Sequence, residues 1–124
     1  MMNLGNFSLS LEVKDIHASL EFYKKLGFKQ IMGDLNQKWC VVNNGDCTIG
    51  LYQGMFDSHM MTFNPKWTSN FQEDKDAPDI RDIESQLRAE GIEPLKSFEY
   101  DTTGPAHFVI EDPDGHTIMF EQHL

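Results

Sequence analysis

The chain has 124 residues, about one domain's worth, and its 40% apolar and 24% charged residues describe a folded globular protein rather than a disordered one. A formal charge of −10 with only ten Lys and Arg argues against nucleic acid or an anionic membrane as partner, because both need a basic face against phosphate. The opening "MMNLGNFSLSLEV" has no basic run and no apolar stretch of membrane-spanning length, so no signal peptide or membrane span is read and the expected address is the cytoplasm.

In chain order, "FSLSLEV" (7–13) alternates as a strand does. Phe7, Leu9, Leu11 and Val13 are expected beneath a helix, and Ser8, Ser10 and Glu12 on the opposite face. "DIHASLEFYKKLGF" (15–28) predicts a helix over 15–26, with Asp15 as its N-cap, Ile16, Leu20 and Tyr23 as its apolar stripe and Gly27 just past its end. Strands follow at 28–33, 38–43 and 47–53. The last two are joined at Asn44-Gly45, a turn that pairs Trp39 with Gly50 and Cys40 with Ile49. Cys40, Val42, Cys47, Ile49 and Leu51 then face the helix, and Trp39, Val41, Thr48, Gly50 and Tyr52 face away.

A fifth strand at 59–64 precedes the irregular stretch "PKWTSNFQEDKDAP", an insertion whose Trp67 suits a lid or a subunit contact. A second helix is expected over 79–90, capped by Asp79, with Ile80, Ile83 and Leu87 inward and Gly91 at its end. Strands at 92–98, 106–111 and 117–122 complete the chain, the last two joined by the turn "DPDG" (112–115). Met60, Thr62, Asn64, Thr117, Met119 and Glu121 face away from the helices. On the seventh strand either Phe108 and Ile110 or His107 and Val109 could do so. His17, His116 and the "EDKD" run read as exposed polar surface, and the two cysteines as buried thiols.

The chain also resembles itself. Asp15, Ile16, Gly27 and Phe28 align with Asp79, Ile80, Gly91 and Ile92, and "TIGLYQ" (48–53) aligns with "TIMFEQ" (117–122). Each half reads strand, helix, strand, strand, strand: module one over about 1–54 and module two over about 58–124 of a single domain.

This tandem βαβββ pair, with "SLEFYKKLGF" after the first strand and "DPDGHTIMFEQ" near the end, resembles the vicinal oxygen chelate superfamily of glyoxalases, bleomycin-resistance proteins and dioxygenases. The resemblance implies an α+β fold: a mixed sheet curled into a cup, helices outside, ligand inside, in a homodimer. In the catalytic members one divalent metal sits in the cup, held by residues that fall here on Ser8, Gly50 and Met119, with a fourth from the fifth strand. Those residues are a poor donor set, and His59 is out of phase with the cup. No metal and no cofactor are therefore expected, and an improvised site from His107, Glu121 and His123 has no spacing behind it.

The expected function is metal-independent binding of a small molecule in the cup. Trp39, Tyr52, Met60, Trp67 and Met119 would give apolar contact around Gly50, and Ser8, Ser10, Thr48, Thr62, Asn64 and Glu121 would orient polar groups. The alternatives are a metal-dependent glyoxalase or extradiol-dioxygenase-type enzyme, and a metal-free enzyme using Glu121 or His107 as acid or base.

Overall fold

Both helices start and stop by the same devices. α1 (Ile16–Lys25) is capped by the Asp15 carboxylate, which accepts from the His17 and Ala18 N–H, and α2 (Ile80–Ala89) by Asp79, which accepts from Arg81 N–H. The first helical N–H of each is satisfied by a glutamine: Ile16 donates to Gln53 Oε1 and Ile80 to Gln122 Oε1, both at 2.9 Å. Those are the two glutamines that the internal repeat aligns. Gly27 (φ +94°) and Gly91 (φ +86°) end the helices in the left-handed region, where their N–H groups donate to Lys24 and Arg88 carbonyls.

The computed structural model describes residues 2–99 and 103–123. Its strands are β1 (Asn6–Val13), β2 (Lys29–Asp34), β3 (Trp39–Asn44), β4 (Cys47–Gln53), β5 (Met60–Asn64), β6 (Lys96–Glu99), β7 (Ala106–Glu111) and β8 (Thr117–Gln122). They form one open, mixed sheet in the order β2-β3-β4-β1-β5-β8-β7-β6. β1 runs parallel to β4 and β5 parallel to β8, while β1 and β5 meet antiparallel at the seam, with Ser8 opposite Thr62 and Ser10 opposite Met60. The two modules thus complete one concave sheet within a single chain. No described helix is long and apolar enough to cross a membrane.

Each helix covers its own module. Ile16 and Leu20 pack with Cys40, Val42 and Leu51, and Ile80, Ile83 and Leu87 pack with Phe108, Ile110 and Phe120. This decides the seventh strand: Phe108 and Ile110 go to the core, and His107 and Val109 to the concave face. The seam has no helix of its own. Phe7 and Leu9, expected beneath a helix, are instead 46% and 39% exposed on the convex side, because α1 lies against β2–β4 and α2 against β7 and β8. Leu11 and Val13 do reach the first core.

Three local expectations are corrected. The first hairpin turns at Gly45-Asp46, one residue later than the Asn-Gly signal, so Trp39 stands opposite Tyr52 and Gly50 opposite Val41. The two-residue shift in pairing preserves which side chains share a face. β6 starts only at Lys96, after Pro94, a residue with no N–H for a ladder. Cys40 is buried, but Cys47 at the hairpin's edge is exposed.

Candidate functional site: the concave face

The centre of the concave face is built by the four strands nearest the seam. Ser10 pairs with Gly50 across β1 and β4, and Thr62 with Met119 across β5 and β8. The hydroxyls of Ser10 and Thr62, both buried, bond each other at 2.7 Å. Gly50 is bare because the ring of Tyr52 lies back over it: a Cβ there would come 2.6 Å from the ring. Burial pushes the Tyr52 phenol above its usual range, helped by the Glu121 charge, and a hydrogen bond with Ser10 only partly opposes this. At the positions where the resemblance places the metal's ligands, the Ser8 hydroxyl, the bare Gly50 and the Met119 thioether do not fit the divalent ions of the catalytic members. Ser8 is one ladder step further down, paired with Thr48 and Thr62.

Module one's side of the face is filled. Trp39 stacks with Tyr52 (6.2 Å between centroids, 4° between planes), and Phe56 packs on Tyr52 at 4.9 Å. Phe56 is placed by Glu12, whose carboxylate accepts from three backbone N–H groups: Gly54 at 2.8 Å, and Met55 and Phe56 at 3.2 Å. Those donors, Gly54 foremost, hold the Glu12 pKa below its ordinary value, against a smaller upward push from burial. His59 sits outside this centre, exposed, its Nδ1 accepting from the Glu12 N–H at 3.2 Å.

Module two's side is open. A hollow of about 520 Å³ lies between Phe56, Met60, Leu95, Val109 and Met119, with His107, Lys96 and Thr117 also on its wall. At the seam's lower end is a second, small cavity of about 20 Å³, bounded by Ser8, Thr48, Tyr52, Asn64, Phe71 and Glu121, among others. The 65–78 insertion covers that end. Its Trp67 stacks on Phe71 (4.7 Å, 10°), and Phe71 has a left-handed backbone (φ +63°).

The sequence-derived site residues therefore divide. Met60 and Met119 meet His107 at the hollow, Ser8, Thr48, Asn64 and Glu121 meet at the small cavity, and Ser10, Gly50 and Thr62 form the floor between. Trp39 packs on Tyr52, which bounds the small cavity, and Trp67 stacks within the insertion. His107 stands opposite Glu121, whose carboxylate is 3.6 Å from His123; this raises the His123 pKa. The three do not converge as a metal cluster. Among the described residues only Asp112, Asp114 and His116 do, on the exposed β7–β8 turn, where His116 Nδ1 lies 2.8 Å from Asp112. Sequence reading left Val109 open together with His107 and missed Phe56 and Phe71; nothing local marks Phe71.

A tandem βαβββ chain with an open concave sheet defines the glyoxalase-like class of folds. This chain belongs to the glyoxalase/bleomycin resistance protein/dioxygenase superfamily, whose sequence model matches residues 7–120. Similar solved structures include a member of that superfamily from Vibrio splendidus 12B01 (TM-score 0.62, 17% identity, covering 94% of this chain and 97% of that one). Another is from Legionella pneumophila, described as an NAD-dependent benzaldehyde dehydrogenase (TM-score 0.69, 17% identity, 95% and 99% covered). A third is methylmalonyl-CoA epimerase from Mycobacterium tuberculosis (TM-score 0.64, 12% identity, 97% and 87% covered). At these identities each shows a shared fold alone. No curated protein matches the chain in sequence.

Proposed function

We propose that the protein is a metal-independent binder of a small molecule, held on module two's side of the concave face. The carrying observation is the hollow of about 520 Å³ beside Met60, Val109 and Met119, a volume within the roughly 300–1,000 Å³ of ordinary ligand sites. Its walls suit a guest with an apolar or aromatic body and one polar group, the latter directed to His107 or Lys96. The metal-free part of the reading rests on the poor donors at the family's ligand positions, Ser8, Gly50 and Met119.

The register that sets His107 opposite Glu121 favours one second reading, a metal-free enzyme that uses this pair as acid and base. Turnover of the bound guest that is lost in both His107→Gln and Glu121→Gln would select it.

A homodimer belongs to the same proposal, supported by the exposed Phe7 and Leu9 on the convex seam. Its test is the mass in solution. So does residence in the cytoplasm, supported by the unbridged Cys40 and Cys47.

The binding reading is tested by metal analysis of the purified protein and by an aromatic-ligand screen. No ion is expected at one equivalent, and a tightly held Ni, Zn, Mn or Fe would overturn the metal-free assignment. Hits should bind about ten-fold more weakly to Val109→Asp, which puts a hydrated carboxylate where the guest's apolar body would lie, and equally well to Trp39→Ala. Equal affinity for wild type and Val109→Asp would remove the hollow as the site.

A further inference from the structure

The register makes the two modules comparable residue by residue. Ser10 and Thr62 are equivalent, because each pairs with the matching residue of its module's last strand, Gly50 or Met119. Two residues on, Glu12 beside Tyr52 corresponds to Asn64, which lies one pair beyond Phe63 and Phe120 and hence beside Glu121. In module one the Glu12 side chain is saturated by the N–H groups of Gly54, Met55 and Phe56. In module two the equivalent acceptor has no donor. Asn64 is 6% exposed, its Oδ1 is buried without a hydrogen-bond partner, and its side chain borders the cavity of about 20 Å³.

A buried acceptor left without a donor is costly, and a native structure normally supplies one. We propose that this cavity binds a small ammonium group, either ammonium itself or the primary ammonium head of an amine. Its N–H donors take the place at Asn64 that the 54–56 backbone takes at Glu12.

Two features select that chemistry over a neutral donor, and a third sets its size. The Glu121 carboxylate borders the same cavity and gives the group a counter-charge. The aromatic side chains of Tyr52 and Phe71 also border it, and rings of this kind attract cations. The volume is that of about one water-sized probe, which suits a primary ammonium head better than a quaternary one.

The loop over this end is tied to the start of β1. Asn6 donates its N–H to Trp67 O at 2.8 Å and its side-chain Nδ2 to Thr68 O at 3.0 Å, and Phe71 reaches the cavity through a backbone conformation unusual for a residue with a Cβ. His123, 3.6 Å from Glu121, is the protein's own competitor for that carboxylate when protonated. The site is separate from the larger hollow and stands whether or not that hollow takes a guest.

The test compares thermal unfolding of the wild type in ammonium, methylammonium, tetramethylammonium, potassium and sodium chlorides at equal ionic strength. The midpoint is expected to rise saturably in ammonium over sodium. A matching rise in methylammonium identifies an amine head as the natural occupant, and a rise in ammonium alone identifies the free ion. Tetramethylammonium should track sodium in the wild type and gain an effect in Phe71→Ala. Glu121→Gln, which keeps the shape and removes the charge, should weaken the ammonium response about ten-fold. With ¹⁵N-ammonium, the wild type should show a bound resonance protected from solvent exchange, a readout that needs no variant. An equal response to every salt, a potassium response equal to that of ammonium, an ammonium response unchanged by Glu121→Gln, or only freely exchanging ¹⁵N-ammonium would each overturn the proposal in favour of a cavity holding water.

Discussion

The two modules share a scaffold and differ on the one surface the scaffold does not constrain. Asp15 and Asp79 cap the helices, Gln53 and Gln122 close their first turns, and Gly27 and Gly91 end them. On the concave face the same positions part company: Tyr52 matches Glu121, Glu12 matches Asn64, and Gly50 matches Met119. Module one has folded an aromatic ring over its own glycine and filled its half, while module two has left a hollow. Concave side chains lie opposite the helix-packed cores, so they can change without unpacking either core. That is where function is free to diverge.

The strongest way to break this asymmetry is to empty module one. Tyr52→Ala removes the ring that covers Gly50, stacks on Trp39 and packs on Phe56. It should cost about 3 kcal/mol, at the lower end for loss of a large aromatic because the ring is only partly buried. Chemical denaturation measures the loss. A hollow on module one's side, detected as new binding of an apolar dye, should accompany it. A variant as stable as wild type would show that the ring merely rests on the face.

The glutamines test the opposite idea, that the shared scaffold is equally important in both halves. Gln122 is 2% exposed, and besides capping α2 it donates to Asp79 Oδ2 at 2.9 Å and Gly104 O at 2.8 Å. Gln53 is only half-buried. Gln122→Ala should therefore destabilise by about 2 kcal/mol and Gln53→Ala by about 1 kcal/mol, the difference reflecting the partners left buried without a bond. Equal losses would mean that the helix cap alone sets the effect.

Much of this scaffold is legible in the sequence because it is local. The aspartate caps, the glycine stops and the period-two alternation each depend on residues a few positions apart, and the repeat doubles every signal. Alternation alone assigned Thr62, Met119 and Glu121 to the concave face. What was not legible depends on distances the sequence does not carry. The direction of the Tyr52 ring is a rotamer choice that fills the space above Gly50, and no periodicity encodes it. The exposure of Phe7 and Leu9 follows from where the helices stop covering the sheet, since their alternation matches that of a covered strand. Phe71 reaches the cavity through one left-handed residue in a stretch without period. The Asn44-Gly45 signal failed by one position because Gly45-Asp46 also makes a two-residue turn, and the strand gained Asn44, whose side chain donates to Leu26 O at 3.2 Å.

The smallest expected effect sharpens the comparison most, since it concerns a group that titrates in one module and an equivalent that does not. Backbone donation from Gly54, then Phe56 and Met55, holds the Glu12 pKa below its ordinary value of 4.5. A carboxyl depressed on folding contributes stability that is present above its unfolded value and is lost as pH falls through the folded value. The 54–56 loop should therefore stay latched at neutral pH and loosen in acid, with no matching event at Asn64, whose amide carries no titrating proton. Glu12 is at the surface, so the change belongs to the loop rather than to global stability. Amide exchange at Gly54, Met55 and Phe56, followed by NMR from about pH 6 to about pH 3 and corrected for the intrinsic rate, should show protection falling in wild type. In Glu12→Gln protection should be lower at neutral pH and flat across the range. Protection that does not change with pH in wild type would mean the loop is held by the packing of Phe56 on Tyr52, and that module one's filled face stands without its latch.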